Sequence, residues 1–102
     1  MARIALVPID RPEVAPRPIS LRLRGQLVYF GAPSGAAGVP TLGEGEFWFR
    51  DDELDRWIDD GVIFLVSPLD TDSMTEVELS EEQEALLLWL KAEGVRHVRV
   101  AE

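Results

Sequence analysis

Apolar positions along the chain fall into short runs, spaced either every second residue or every third and fourth. Most are closed by Pro, Gly or a cluster of Asp and Ser. Arg3 to Val7 is a β-branched and aliphatic run stopped by Pro8, and reads as a strand. Ile19, Leu21 and Leu23 alternate with Ser20, Arg22 and Arg24, the period of a half-buried sheet face. Ile19–Phe30 is therefore expected to be the longest strand, with Gly25 marking a bulge or bend. Glu46-Phe47-Trp48-Phe49 reads as a short aromatic strand, and Val62–Val66 has the density and length of a buried one. Met74–Leu79 sets Met74, Glu76 and Glu78 against Thr75, Val77 and Leu79, a strand with one acidic face. Val95–Val100 puts Val98 and Val100 on one face and His97 and Arg99 on the other.

Two segments carry the helical period instead. Leu54, Trp57 and Ile58 form an i, i+3, i+4 stripe, with Asp51 or Asp52 placed to cap its start near the end of the aromatic strand. Gly61 supplies a left-handed stop after Asp60. In the second, Ser80-Glu81-Glu82-Gln83 spells a capping box, and the helix it opens runs to Glu93 and ends at Gly94. On a helical wheel, Ala85, Leu86, Leu87, Trp89 and Leu90 make a broad core face. Leu88 falls outside it, between Glu81, Glu84 and Lys91.

The intervening residues are connectors. Residues 8–18 hold Pro8, Pro12, Pro16 and Pro18, a stiff linker between strands rather than a polyproline ligand. Residues 31–45 form a loop rich in Gly and Pro. The expected order is β-β-β-α-β-β-α-β in one α+β domain spanning residues 1–102. Its sheet, mixed or antiparallel, would have about five to six strands, with two helices. The last six elements resemble the βαββαβ order of the ferredoxin-like motif, a likeness of element order alone.

Composition narrows the function classes. In 102 residues, 46% hydrophobic, there is no cysteine, so no disulfide framework, thiolate metal site or thiol nucleophile is available. The longest apolar run, Ala85–Leu90, is far short of the ~20 residues that cross a bilayer. Ile4–Val7 is too short for the apolar core of a signal peptide. A soluble, cytoplasmic domain is expected. The net charge of −9 is unevenly spread. Residues 1–50 carry six arginines against four acids, whereas residues 51–102 carry four bases against fifteen acids, net +2 and −11. Such a surface repels phosphate backbones and anionic lipid, so nucleic acid and membrane are poor partners; a basic protein suits it better.

Catalytic constellations are not legible. Gly31–Gly38 lacks the Lys-Ser/Thr of a phosphate-binding loop, and Ser34 does not sit in a nucleophile elbow. Asp70-Thr71-Asp72 begins like a calcium loop, but the fifth position is Met74 and the sixth, where the turn needs glycine, is Thr75. An Asx-turn connector explains these aspartates without a metal. No catalytic residue, metal or cofactor is expected.

The local anomalies point to surfaces instead. Asp51, Asp52 and Glu53 complement the positive end of the first helix dipole, but Asp59 and Asp60 oppose its negative end, which costs about 0.3–1 kcal/mol each when exposed. Leu88 is an apolar side chain among charges, beside the edge of Trp89. Trp48 points away from Phe47 and Phe49, so if helices cover one sheet face only, either Trp48 or the phenylalanine pair lies on the open face. Asp52, Asp55, Asp59 and Asp60 with Trp48, Leu88 and Trp89 are thus the candidate partner-binding residues. The expectation is a non-enzymatic interaction or regulatory domain, such as an adaptor or a neutraliser of a basic protein. The alternatives are a homo-oligomer joined through its unlike halves, or a small-ligand domain or enzyme using carboxylate acid–base groups.

Overall fold

In the computed structural model, residues 4–31, 38–66 and 74–102 are described. The first strand, β1 (Ile4–Pro8), alternates buried and half-buried side chains, with Leu6 fully buried. It pairs antiparallel on one side with β2 (Arg17–Ile19) and on the other with the last strand, β6 (His97–Ala101), in the register Leu6↔Arg17 and Leu6↔Val100. Across β6 lies β3 (Glu46–Trp48), also antiparallel, with Phe47 opposite Val98 and Trp48 opposite His97. The four-stranded sheet thus runs β2-β1-β6-β3. Asp10 fastens its lower end, its carboxylate accepting from the backbone N–H groups of Arg96 at 2.9 Å and His97 at 3.2 Å.

The segment after Ile19 is not a strand. It folds as α1 (Leu21–Gln26), continued by a 3₁₀ turn over Leu27–Tyr29. Ser20 takes an extended backbone, and its hydroxyl accepts from the Leu23 N–H at 3.1 Å, an N-cap in the middle of what the alternation marked as sheet. The second period wins because Leu23, Leu27 and Phe30, at i, i+4 and i+7, all reach the core, whereas Leu21 is 72% exposed. Gly25 is one position of that helix, not a bulge.

The acidic helix α2 (Asp51–Asp60) and the long helix α3 (Glu81–Glu93) stand where their periods placed them. The cap of α2 is Arg50, which makes no side-chain capping bond, rather than Asp51 or Asp52; all three acids of the first turn sit inside the helix. Gly61 at φ 71° and Gly94 at φ 68° close α2 and α3 in the left-handed region that favours glycine. The capping box of α3 is complete: Gln83 N–H donates to Ser80 Oγ at 3.1 Å, and Ser80 N–H to Gln83 Oε1 at 2.9 Å. The Gln83 side chain is buried and donates onward from Nε2 to Gln26 Oε1 at 3.0 Å, tying α3 to α1.

Between the helices, β4 (Val62–Val66) and β5 (Met74–Glu78) form an antiparallel hairpin of their own, with Ile63 opposite Val77. A ferredoxin-like sheet would pair β3 with β5; here the described residues place them in two separate antiparallel sheets. The fold is a small α+β domain with a four-stranded and a two-stranded sheet. One core gathers Leu6 and Val98 from the large sheet, Leu23, Leu27 and Phe30 from α1 and its extension, Leu54 and Trp57 from α2, and Leu86, Leu87 and Leu90 from α3. Phe30 meets Trp57 edge to face, centroids 5.2 Å apart. The covered sheet face is that of Phe47 and Val98. Phe49 follows it into the core, while Trp48 lies on the other face against the His97 ring, 5.7 Å away.

Candidate interaction surface

The α2 helix carries six acids and one base, Arg56, in ten residues. Burial of Leu54 and Trp57 fixes its rotation, which turns Asp52, Asp55 and Asp59 (i, i+3, i+7) onto one exposed ridge. Asp60, five residues past Asp55 at about 100° each, points to another side. Two contacts tie α2 to the C-terminal end of α3 and the residues that follow it. Asp51 pairs with Arg96, whose Nη1 also donates to the carbonyls of Leu90 and Val95 at 2.8 Å, closing the end of α3. Asp55 pairs with Lys91. Both contacts hold the first half of α2 against the C-terminal end of α3. Asp59, one turn further along α2, also acts on Lys91.

The hydrogen bond from Lys91 to Asp55, and then the charge of that carboxylate, raise the Lys91 ammonium above the usual lysine range; Asp59 adds to the effect. Lys91 thus offsets part of the acid at the end of α2. Among the described residues neither Asp59 nor Asp60 makes an ion pair.

On α3, Gln83, Leu86, Leu87 and Leu90 are the buried set. Ala85 and Trp89, expected in the core face, are only half-buried, and the polar Gln83 takes a core position instead. The reason is that α3 leans toward α1 on one side and α2 on the other. Its outward ridge then carries Glu81, Glu84, Ala85 and Leu88, which line a shallow depression of about 220 Å³. Leu88 is 45% exposed there. Leu88 stands on this outward ridge one turn before Lys91, whose ammonium pairs with Asp55 of α2.

The remaining candidates sit elsewhere. Trp48 and Asp52 share an open groove of about 480 Å³ at the start of α2, lined also by Asp51 and Arg96. Trp89 lies on the opposite side of α3 from Lys91, packed against the core with the Arg17 guanidinium 5.8 Å from its ring, a cation–π contact. His97, the single histidine, meets Glu46 through Nε2 at 2.7 Å on the Trp48 face of the sheet. Ser34, Asp70 and Asp72 lie outside the described residues. Among the described residues no group of three or more His, Asp or Glu is arranged to hold a metal ion, and no helix is long and apolar enough to cross a membrane.

Sequence reasoning missed the outer face of α1 and its extension. Leu21, Val28 and Tyr29 are 72%, 63% and 49% exposed, against 45% for Leu88. The signal was present in Ser20 followed by Leu23, Leu27 and Phe30, but the strand alternation over the same residues hid it. No protein-family model, curated protein or solved structure matches this chain, so the functional reading stands on the surface itself.

Proposed function

We propose that the chain is a non-enzymatic interaction domain that binds a basic protein partner in the cytoplasm through the α2–α3 seam, without metal or cofactor. The observation that carries this reading is the half-exposed Leu88 one turn from Lys91, whose ammonium is held by Asp55 of the acidic ridge on α2. The acids steer a positively charged surface to the seam, and Leu88 supplies apolar contact once water is expelled. Asp52 extends the acidic ridge toward the groove that holds Trp48, which gives a wider partner a second apolar contact.

The test compares affinity capture from native lysate by the wild type, by the triple variant D52K/D55K/D59K, and by D60K as a control off the ridge. The expected result is one stoichiometric partner held at low salt and shed at high salt, lost with the triple variant and kept with D60K. All three proteins should give the same far-UV circular dichroism. A partner captured equally by the triple variant overturns the reading.

A further inference from the structure

The most exposed of the large apolar side chains among the described residues, Leu21, Val28 and Tyr29, lie on α1 and its 3₁₀ extension. Between Leu21 and Val28, Gly25 leaves a gap: a Cβ added there would meet nothing within 4 Å. Arg22 and Arg24 flank this face; Arg24 is held by Glu102 at 2.6 Å, while Arg22 makes no ion pair among the described residues. The neighbouring α3 shows the complementary surface, with Leu88 raised between Glu81 and Glu84. Both ends of α1 are tied to the first turn of α3, through Gln26–Gln83 at 3.0 Å and Ser20–Glu82 at 2.5 Å.

We infer that the chain self-associates by laying the α1 face of one copy on the α3 ridge of a second copy. A two-fold axis across the joined helices makes both contacts at once, so the assembly closes as a symmetric dimer. Leu88 of each copy fits the gap over Gly25 of the other, with Leu21 and Val28 on either side. Arg22 meets the acids Glu81 and Glu84. The occupant is chosen by charge: the α1 face is basic and apolar, and the surface that matches it in sign and shape is on the same chain. An anionic membrane would suit Arg22 and Leu21, but not a chain of net charge −9. The inference rests on Leu88 belonging to a binding surface, and it makes dimerisation compete with the proposed partner for that side chain.

Sedimentation equilibrium over the micromolar range at physiological salt tests it. The wild type is expected to pass from monomer to dimer. V28E should weaken the dimer at least about tenfold, as truncation of a central apolar contact does. R22E alone and E84R alone should each weaken it, and a one-to-one mixture of the two should recover the wild-type affinity, because each copy then meets the opposite charge. A monomer at every concentration overturns the inference, as does a dimer indifferent to V28E and to both charge reversals. Binding of the wild type to phosphatidylcholine–phosphatidylserine vesicles, lost with V28E, also overturns it and assigns the face to a membrane. The variant D52K/D55K/D59K leaves the α1 face intact, so loss of partner capture and loss of the dimer are separable.

Discussion

Helices α1 and α3 start in the same way and end very differently. Each opens at a serine in extended backbone whose hydroxyl accepts from the N–H three residues on. In α3 a glutamine completes the box from the other side, and 13 residues of helix follow before Gly94. In α1 no such partner exists, Gly25 interrupts after four residues, and the helix tightens into a 3₁₀ turn. An isolated helix of α1's length is far below what is stable in water, so it forms because Leu23, Leu27 and Phe30 are buried against the rest of the core. α3 is specified by its own local sequence, α1 by its tertiary contacts. Both leave an apolar ridge outward, one among arginines and the other among glutamates.

Two leucines of α1 should show the largest difference. In a strand, Leu21 and Leu23 would share a face and cost the same to truncate; in α1 they lie on opposite sides. Leu23→Ala should destabilise by about 2–5 kcal/mol, comparable to a core leucine of α3 such as Leu87, whereas Leu21→Ala should stay within about 0.5 kcal/mol. Urea denaturation of the three variants reads this directly, and equal losses at 21 and 23 would restore the strand.

A smaller effect should come from Gly25. Its φ is not positive and a Cβ there meets open space, so Gly25→Ala should stabilise the fold by about 0.5–1 kcal/mol, as in any exposed helix interior. Loss of stability instead would mean that the residue is not helical.

The smallest effect concerns the seam between α2 and α3. Because Asp55 raises the Lys91 ammonium, the pair's contribution is complete below the unfolded lysine value of about 10.4 and fades as pH rises through the higher folded value. Wild type and Lys91→Met should therefore differ in stability by a constant amount from neutral pH to about pH 10, and converge above it. A difference already shrinking near neutrality would show that the pair is not the source.

The parts of the fold that were legible are those whose signals agree at every level. Ser80 with Gln83, the Leu54–Trp57–Ile58 stripe, the stops at Gly61 and Gly94 and the alternation of Val98 and Val100 each point to one structure. Ile19–Phe30 carries two periods at once, and nothing within those residues says that Leu27 and Phe30 will meet Trp57. The pairing of β3 with β6, and the separation of the β4–β5 hairpin, are long-range choices that element order does not determine. The anomaly of Leu88 was visible on a wheel, and so was the acid of α2. The link between them was not, because it runs through Lys91 and Asp55, 36 residues apart in the chain.

If the surface around Leu88 is where the protein binds, a photo-crosslinking amino acid placed at position 88 captures its occupant in cells. A second copy of the protein carries it at Glu76, an exposed position on the separate hairpin. A discrete protein adduct is expected from position 88, either a second copy of this chain or a basic partner, and none from position 76. No adduct from position 88, or the same adducts from both positions, would contradict it.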